Sequence, residues 1–157
     1  MLIESRALYG DKGTVDPDDV PDAIGGARLL REGGDVTLIS WGRMTHRAMG
    51  AAAELAAGGV EADVIDLRWL NPLDVDTISE SVRKTSRVLV AHEANETGGF
   101  GAEVVSRIVG RNFGDLDAAP VRVGSPDVRF PSSPVLQDAL LPSVESLAAA
   151  TLGLVRS

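Results

Sequence analysis

The chain alternates between short, almost wholly apolar runs and longer stretches with helical spacing. That alternation constrains its fold more than any other feature, because apolar runs that do not alternate with polar residues must be buried on both faces. Residues 36–41 (Val-Thr-Leu-Ile-Ser-Trp), 62–67 (Ala-Asp-Val-Ile-Asp-Leu) and 88–91 (Val-Leu-Val-Ala) read as such strands. Residues 27–31 and 120–123 read as two more. Between them lie helical patterns. Residues 44–57 place Met44, Ala48, Ala52 and Leu55 on one face and stop at Gly58-Gly59. Asp74 is suited to cap a helix that turns Val75, Ile78 and Val82 inward and carries Arg83 and Lys84 in its last turn. Residues 100–111 turn Phe100, Val104, Val105 and Ile108 inward, and a last helix begins near Ser143 with Val144, Leu147, Ala148 and Val155 inward. Asn71-Pro72 reads as a turn, 93–99 as a loop, and 125–134, with three prolines, as loop. The expected fold is α/β: a three-layer α/β/α sandwich around a mostly parallel sheet of about five strands. Ligands and partners of such sheets meet the carboxyl ends of the strands, here Trp41-Gly42, Leu67-Arg68, His92-Glu93 and Gly124-Ser125.

At 157 residues the chain is the size of one domain, long enough to bury a real core. No apolar run approaches the roughly 18–20 residues of a membrane span, and residues 1–30 lack a signal-peptide pattern. The chain has no cysteine, which removes disulfides, thiol nucleophiles and thiolate metal sites and fits a cytoplasmic setting. Fifteen Lys and Arg against 23 Asp and Glu leave a net charge of −8, with the cations scattered. That balance argues against nucleic acid and favours basic partners. Residues 10–22 are acidic and rich in Gly and Pro, an extended, solvated lead-in; Leu2-Ile3 and Leu8-Tyr9 ahead of it are too little to make a domain.

Few residues carry chemistry. Gly98-Gly99-Phe100-Gly101 opens a helix after a strand, but a dinucleotide fingerprint fails because position 104 is Val104 and the turn is too long. The glycines suit close packing of the helix on a neighbour, with a bare anion site as the alternative. His92 beside Glu93 at a strand end could shuttle protons, or could be a polar strand terminus at a subunit contact; no nucleophile motif accompanies it. Arg68 could clamp a carboxylate or phosphate, or pair with Asp66. His46 falls opposite the apolar face of its helix and takes no role. Asp16, Asp18 and Asp19 lack the Gly and closing Glu of a calcium loop, so no metal site is expected.

An ordered set of motifs does carry information. Residues 35–42 (Asp-Val-Thr-Leu-Ile-Ser-Trp-Gly), 64–68 (Val-Ile-Asp-Leu-Arg) with 72–74 (Pro-Leu-Asp), 81–85 (Ser-Val-Arg-Lys-Thr), 87–94 (Arg-Val-Leu-Val-Ala-His-Glu-Ala) and 98–103 (Gly-Gly-Phe-Gly-Ala-Glu) follow one another across the chain. Leu116-Asp117, Arg122-Val123, Pro131 and Leu141-Pro142 complete the set. The chain resembles the C-terminal, transketolase-C-type domain of the beta subunit of thiamine-diphosphate-dependent 2-oxo acid dehydrogenases of pyruvate, branched-chain or acetoin type. The 81–85 and 92–94 pieces separate it from sugar-phosphate-synthesising relatives.

The resemblance implies a first strand that runs antiparallel and is separated from the second by another. A reading from the residues alone suggests a direct hairpin across Gly33-Gly34, and the resemblance is preferred. It also implies that residues 1–22 are a linker from a preceding pyrimidine-binding domain and 23–157 are the domain itself. Thiamine diphosphate and magnesium belong to the intact enzyme, with no catalytic, cofactor or metal residue in this chain. The implied partners are an alpha subunit, a second beta subunit and, in some members, the small basic subunit-binding domain of the acyltransferase core. Interface or ligand candidates are His92, Glu93, Gly98, Gly99, Arg68 and Asp117; Asp117, along with the chain's C-terminal end, is the candidate contact for the basic domain. The alternative is a stand-alone regulatory or small-anion-binding module that uses the 92–103 loop.

Overall fold

The computed structural model describes residues 4–14 and 24–157. Asp16, Asp18, Asp19 and Leu2-Ile3 lie outside the described residues. Five strands, β1 (Arg28–Arg31), β2 (Val36–Ser40), β3 (Ala62–Asp66), β4 (Val88–Asn95) and β5 (Val121–Ser125), form one sheet in the order β1-β3-β2-β4-β5. β1 is antiparallel to β3 and the remaining pairings are parallel. The helices are α1 (Arg43–Ala57), α2 (Val75–Thr85), α3 (Gly101–Asn112), α4 (Pro134–Leu140) and α5 (Val144–Val155).

Strand periodicity divides the core in two. Val36, Leu38, Ala62, Val64, Leu89 and Ala91 face Ala48, Ala52 and Leu55 of α1 and Leu147 and Leu154 of α5. Ile39, Ile65, Val88 and Val90 face Ile78 and Val82 of α2 and Val104 and Ile108 of α3. Successive residues thus feed opposite layers, and each fully buried Leu, Ile or Val contributes about 1.5–3 kcal/mol. The expected sandwich is found.

The separation of β1 from β2 has a local cause. A Cβ on Gly33 would fall 2.4 Å from the backbone of Ala62, so only glycine lets the chain pass over the start of β3. The Gly33 N–H donates to Asp63 at 2.7 Å, and Asp35 and Glu61 exchange hydrogen bonds of 2.9 and 2.7 Å. The two glycines therefore make a crossing and not a hairpin, as the resemblance implies.

Helix ends follow the sequence. The Asp74 carboxylate accepts from the Thr77 N–H at 3.0 Å, and Ser143 and Ser146 form a reciprocal capping box. Most boundaries shift by a residue, and three departures are larger. β4 runs on to Asn95, because Asn95 pairs with Ser125 after a register shift, so the loop begins at residue 96. β5 starts at Val121 and ends at Ser125, since Pro120 has no N–H for a ladder. α4 was not expected; Ser133 followed by Pro134 at its first turn is the signal for it. Residues 134–155 are, by length and composition, apolar enough for a membrane span at mean hydropathy 1.3. They are nevertheless two helices, interrupted at residues 141–143, and α5 packs on α1 in the core.

Candidate functional site

At the carboxyl ends of the strands, Trp41 and the glycines at the start of α3 close around one imidazole. His92, in β4, is fully buried. Its ring stacks on the indole of Trp41, just past β2, with centroids 5.6 Å apart and planes 16° from parallel. Phe100 meets that indole edge-on at 6.2 Å. A Cβ on Gly99 would lie 2.6 Å from the ring Cε1, and a Cβ on Gly101 2.4 Å from Cδ2. The imidazole thus occupies the space that the glycine-rich start of α3 leaves, and no open cradle remains there for an anion. Neither ring nitrogen makes a hydrogen bond of normal geometry. Burial pushes the His92 pKa below its ordinary value; the backbone at Ala94 and the charge of Glu96 oppose this, and Arg122 adds to it.

Glu93 does not join His92 as an acid–base pair. Neighbours along a strand point to opposite faces. Glu93 lies toward Gly42, where a Cβ would stand 3.8 Å from its Oε2. The Glu93 carbonyl accepts from the Ser125 hydroxyl at 2.8 Å. Gly98 carries φ +74° at the turn into α3. Arg68 is exposed, also at positive φ (54°), and its backbone N–H donates to the Asp66 carboxylate at 3.2 Å. Burial raises the Asp66 pKa against the pull of that bond, the Thr45 hydroxyl, His46 and Arg28. A cleft of about 620 Å³ opens on the α2–α3 side of this end, among Leu70, Pro72, Phe100, Glu103 and Arg107.

Asp117 lies elsewhere. Its N–H donates to the Ser86 carbonyl at 3.0 Å and its carboxylate meets Arg87 at 3.3 Å, both residues that precede β4. It therefore sits at the amino end of the sheet, beside a groove of about 550 Å³ with Ala119, Val121, Ala150, Leu154 and Ser157. The six candidates therefore fall at opposite ends of the sheet, with His92 and Gly99 buried.

A buried polar cluster escaped the sequence reading. Asp63 in β3, fully buried, accepts from Gly33 N–H, from Ser81 Oγ at 2.5 Å and from Lys84 Nζ at 2.7 Å. Thr37 joins Ser81 at 2.6 Å and Thr85 at 2.7 Å. The available signal is one carboxylate inside the run Ala-Asp-Val-Ile. Among the described residues no three metal-ligating side chains of the His, Cys, Asp or Glu type converge. Magnesium takes up to six oxygen ligands, so this donor set does not fit a metal-held diphosphate.

The profile described as "Transketolase, C-terminal domain" matches residues 25–147. The chain is 40% identical over 150 residues to the acetoin:2,6-dichlorophenolindophenol oxidoreductase subunit beta of Cupriavidus necator, spanning 96% of this chain and 44% of the relative. It is 40% identical over 134 residues to the pyruvate dehydrogenase E1 component subunit beta of Bacillus subtilis, spanning 85% and 41%. Among solved structures, a split-gene transketolase described as an inactive beta4 tetramer matches with TM-score 0.76 and 32% identity, over 92% of this chain and 46% of that one. A 2-oxoglutarate:ferredoxin oxidoreductase from Magnetococcus marinus shares the fold at TM-score 0.54 and 13% identity, over 83% of this chain and 19% of that one. The chain spans less than half the length of either beta subunit. Sheet order, strand direction and sequence agree that the chain belongs to the transketolase C-terminal domain family.

Proposed function

We propose that this chain serves as the C-terminal assembly domain of a 2-oxo acid dehydrogenase beta subunit. The intact enzyme would oxidatively decarboxylate a 2-oxo acid and transfer the acyl group to lipoyl. The supporting observation is that identity to the acetoin and pyruvate beta subunits runs over 96% and 85% of the chain. Residues 23–157 are the domain in this reading and 1–22 lead into it; the family match from residue 25 supports that division. Thiamine diphosphate and magnesium would be held by other parts of the enzyme. The setting is cytoplasmic.

The domain's work is then contact: with an alpha subunit, with a second beta subunit, and with the basic subunit-binding domain of the acyltransferase. The carboxyl-end surface around Trp41, Glu93 and Arg68 is assigned to subunit packing. The groove beside Asp117 is assigned to the basic domain; the acidic balance of the chain and the exposed carboxylate at the rim of an apolar groove support this. The test is an assay of the chain with pyruvate, thiamine diphosphate, magnesium and an artificial electron acceptor, alone and with a cognate alpha subunit. The expected result for the chain alone is no turnover. Decarboxylation by the chain alone overturns the reading.

A further inference from the structure

Among the described residues, His92 combines complete burial with two ring nitrogens that lack normal hydrogen bonds. Leaving a buried polar group unmatched is costly, so its presence asks for a reason. The ring is closely enclosed. Trp41 covers one face, and the missing Cβ atoms of Gly99, Gly101 and Gly124 would each fall 2.4–2.9 Å from ring atoms. A neutral imidazole fits this enclosure. A protonated one carries two donors and a full charge into it, where only the Ala94 backbone stands near and no hydrogen bond of normal geometry is made.

The charges that reach the ring come from two neighbours. Arg122 of β5 opposes protonation, and Glu96 of the turn before α3 favours it. On β4 itself, Glu93 lies on the opposite side toward Gly42. Trp41, Gly99 and Gly101 bring no charge.

The same turn shows what can move. Residues 95–97 are stapled to the end of β5 and the segment after it. The Glu96 N–H donates to Ser125 O at 3.1 Å, Asn95 Nδ2 to Pro126 O at 3.1 Å, Thr97 Oγ1 to Asp127 at 2.5 Å and Arg122 to Glu96 O at 2.7 Å. Hydrogen bonds from Thr97 hold the Asp127 carboxyl below its usual range. The staple ends at Thr97. Gly98, at φ +74°, and Gly99 then lead into α3, whose first turn lies against the imidazole.

We propose that His92 is a proton-operated latch for the start of α3. Neutral, its ring locks Gly99 and Gly101 against β4. When it takes a proton from water, the start of α3 swings off the ring about Gly98 and water solvates the imidazolium. The change uncovers Trp41 and Phe100 at the carboxyl end of the sheet, whatever docks there.

The chain has two histidines, and His46 is exposed, so the two ring signals can be told apart by assignment. The experiment follows both rings of the full chain by NMR with labelled histidine from pH 8 to 5. It also measures amide exchange at Ala102 and Val104, whose N–H groups bond within the first turns of α3. The expected result is a His92 that protonates only as α3 opens. Below about pH 6.5 the local opening constant rises about tenfold per pH unit, while amides of β2 stay closed. In His92→Phe the pH dependence at Ala102 and Val104 disappears. Three results overturn the proposal: His92 protonating with α3 closed, the same pH dependence in His92→Phe, or β2 opening in step with α3. If His92→Phe does not fold, the two wild-type measurements decide.

Discussion

The imidazole of His92 and the first turn of α3 are fitted so closely that Gly101 has no room for a methyl group: a Cβ there would stand 2.4 Å from the ring. At Gly99 the added atom would also stand 2.3 Å from the Asn95 carbonyl oxygen. Gly101→Ala and Gly99→Ala are expected to cost about 1–3 kcal/mol each through overpacking. Gly110, exposed later in α3 with nothing within 4 Å, is the control. Gly110→Ala is expected to stabilise by up to about 1 kcal/mol on helix propensity alone. Urea unfolding midpoints rank the three, and a neutral Gly101→Ala refutes the packing account.

The Asp63 carboxylate is the hub joining β3, α2 and the β1–β2 crossing. Removing it leaves the Gly33 N–H, the Ser81 hydroxyl and Lys84 without their acceptor. Asp63→Ala is expected to cost about 3–5 kcal/mol. Lys84 is half-exposed, at 46% of its side chain, so water takes over part of its role. Lys84→Met is expected to cost less, about 1–2 kcal/mol. Chemical denaturation of both variants checks the order; equal losses contradict it.

Asp74 caps α2 and also accepts from the Ala27 N–H at 2.9 Å, which ties in the chain just before β1. Asp74→Ala is expected to cost about 1–2 kcal/mol. Burial pushes the Asp74 pKa up, but hydrogen bonds from Thr77 and Ala27 outweigh it and hold it below the usual 3.8. A carboxyl depressed on folding stabilises above its unfolded value and loses that contribution as pH falls through the folded one. The gap between wild type and Asp74→Ala should therefore be constant from pH 7 to about 5 and close below 3.8. A gap unchanged at pH 2.5 is the contrary result in urea titrations.

Asp117 tests the docking assignment. Titration calorimetry of the chain with a basic acyltransferase subunit-binding domain is expected to show binding that weakens with salt. Asp117→Asn is expected to weaken it by about 1–3 kcal/mol if the carboxylate is covered in the complex. Binding indifferent to both salt and Asp117→Asn places the partner on another surface.

Much of the fold was legible because local rules and burial agree. Residues 36–41, 62–67 and 88–91 carry apolar residues on both faces, as a covered sheet requires, and Asp74 and Ser143 announce their helices. Where two local signals competed, the residues alone misled: Gly33-Gly34 has the composition of a hairpin turn, yet its glycine is needed for passage over Ala62. The end of β4 was missed for a similar reason. Asn95 is polar and sits in a glycine-rich neighbourhood, and its pairing with Ser125 depends on a strand thirty residues away.

The sequence by itself determined the α/β/α layering, the family and the shortage of chemistry-bearing groups, because these rest on periodicity, motif order and residue type. It named His92, Glu93, Gly98, Gly99, Arg68 and Asp117 but could not say which of them meet. The tertiary structure placed Asp117 at the opposite end of the sheet, turned Glu93 away from His92 and filled the glycine cradle with an imidazole. Those outcomes depend on which strands are neighbours and which face each residue takes, and the sheet order β1-β3-β2-β4-β5 fixes both through contacts between distant parts of the chain.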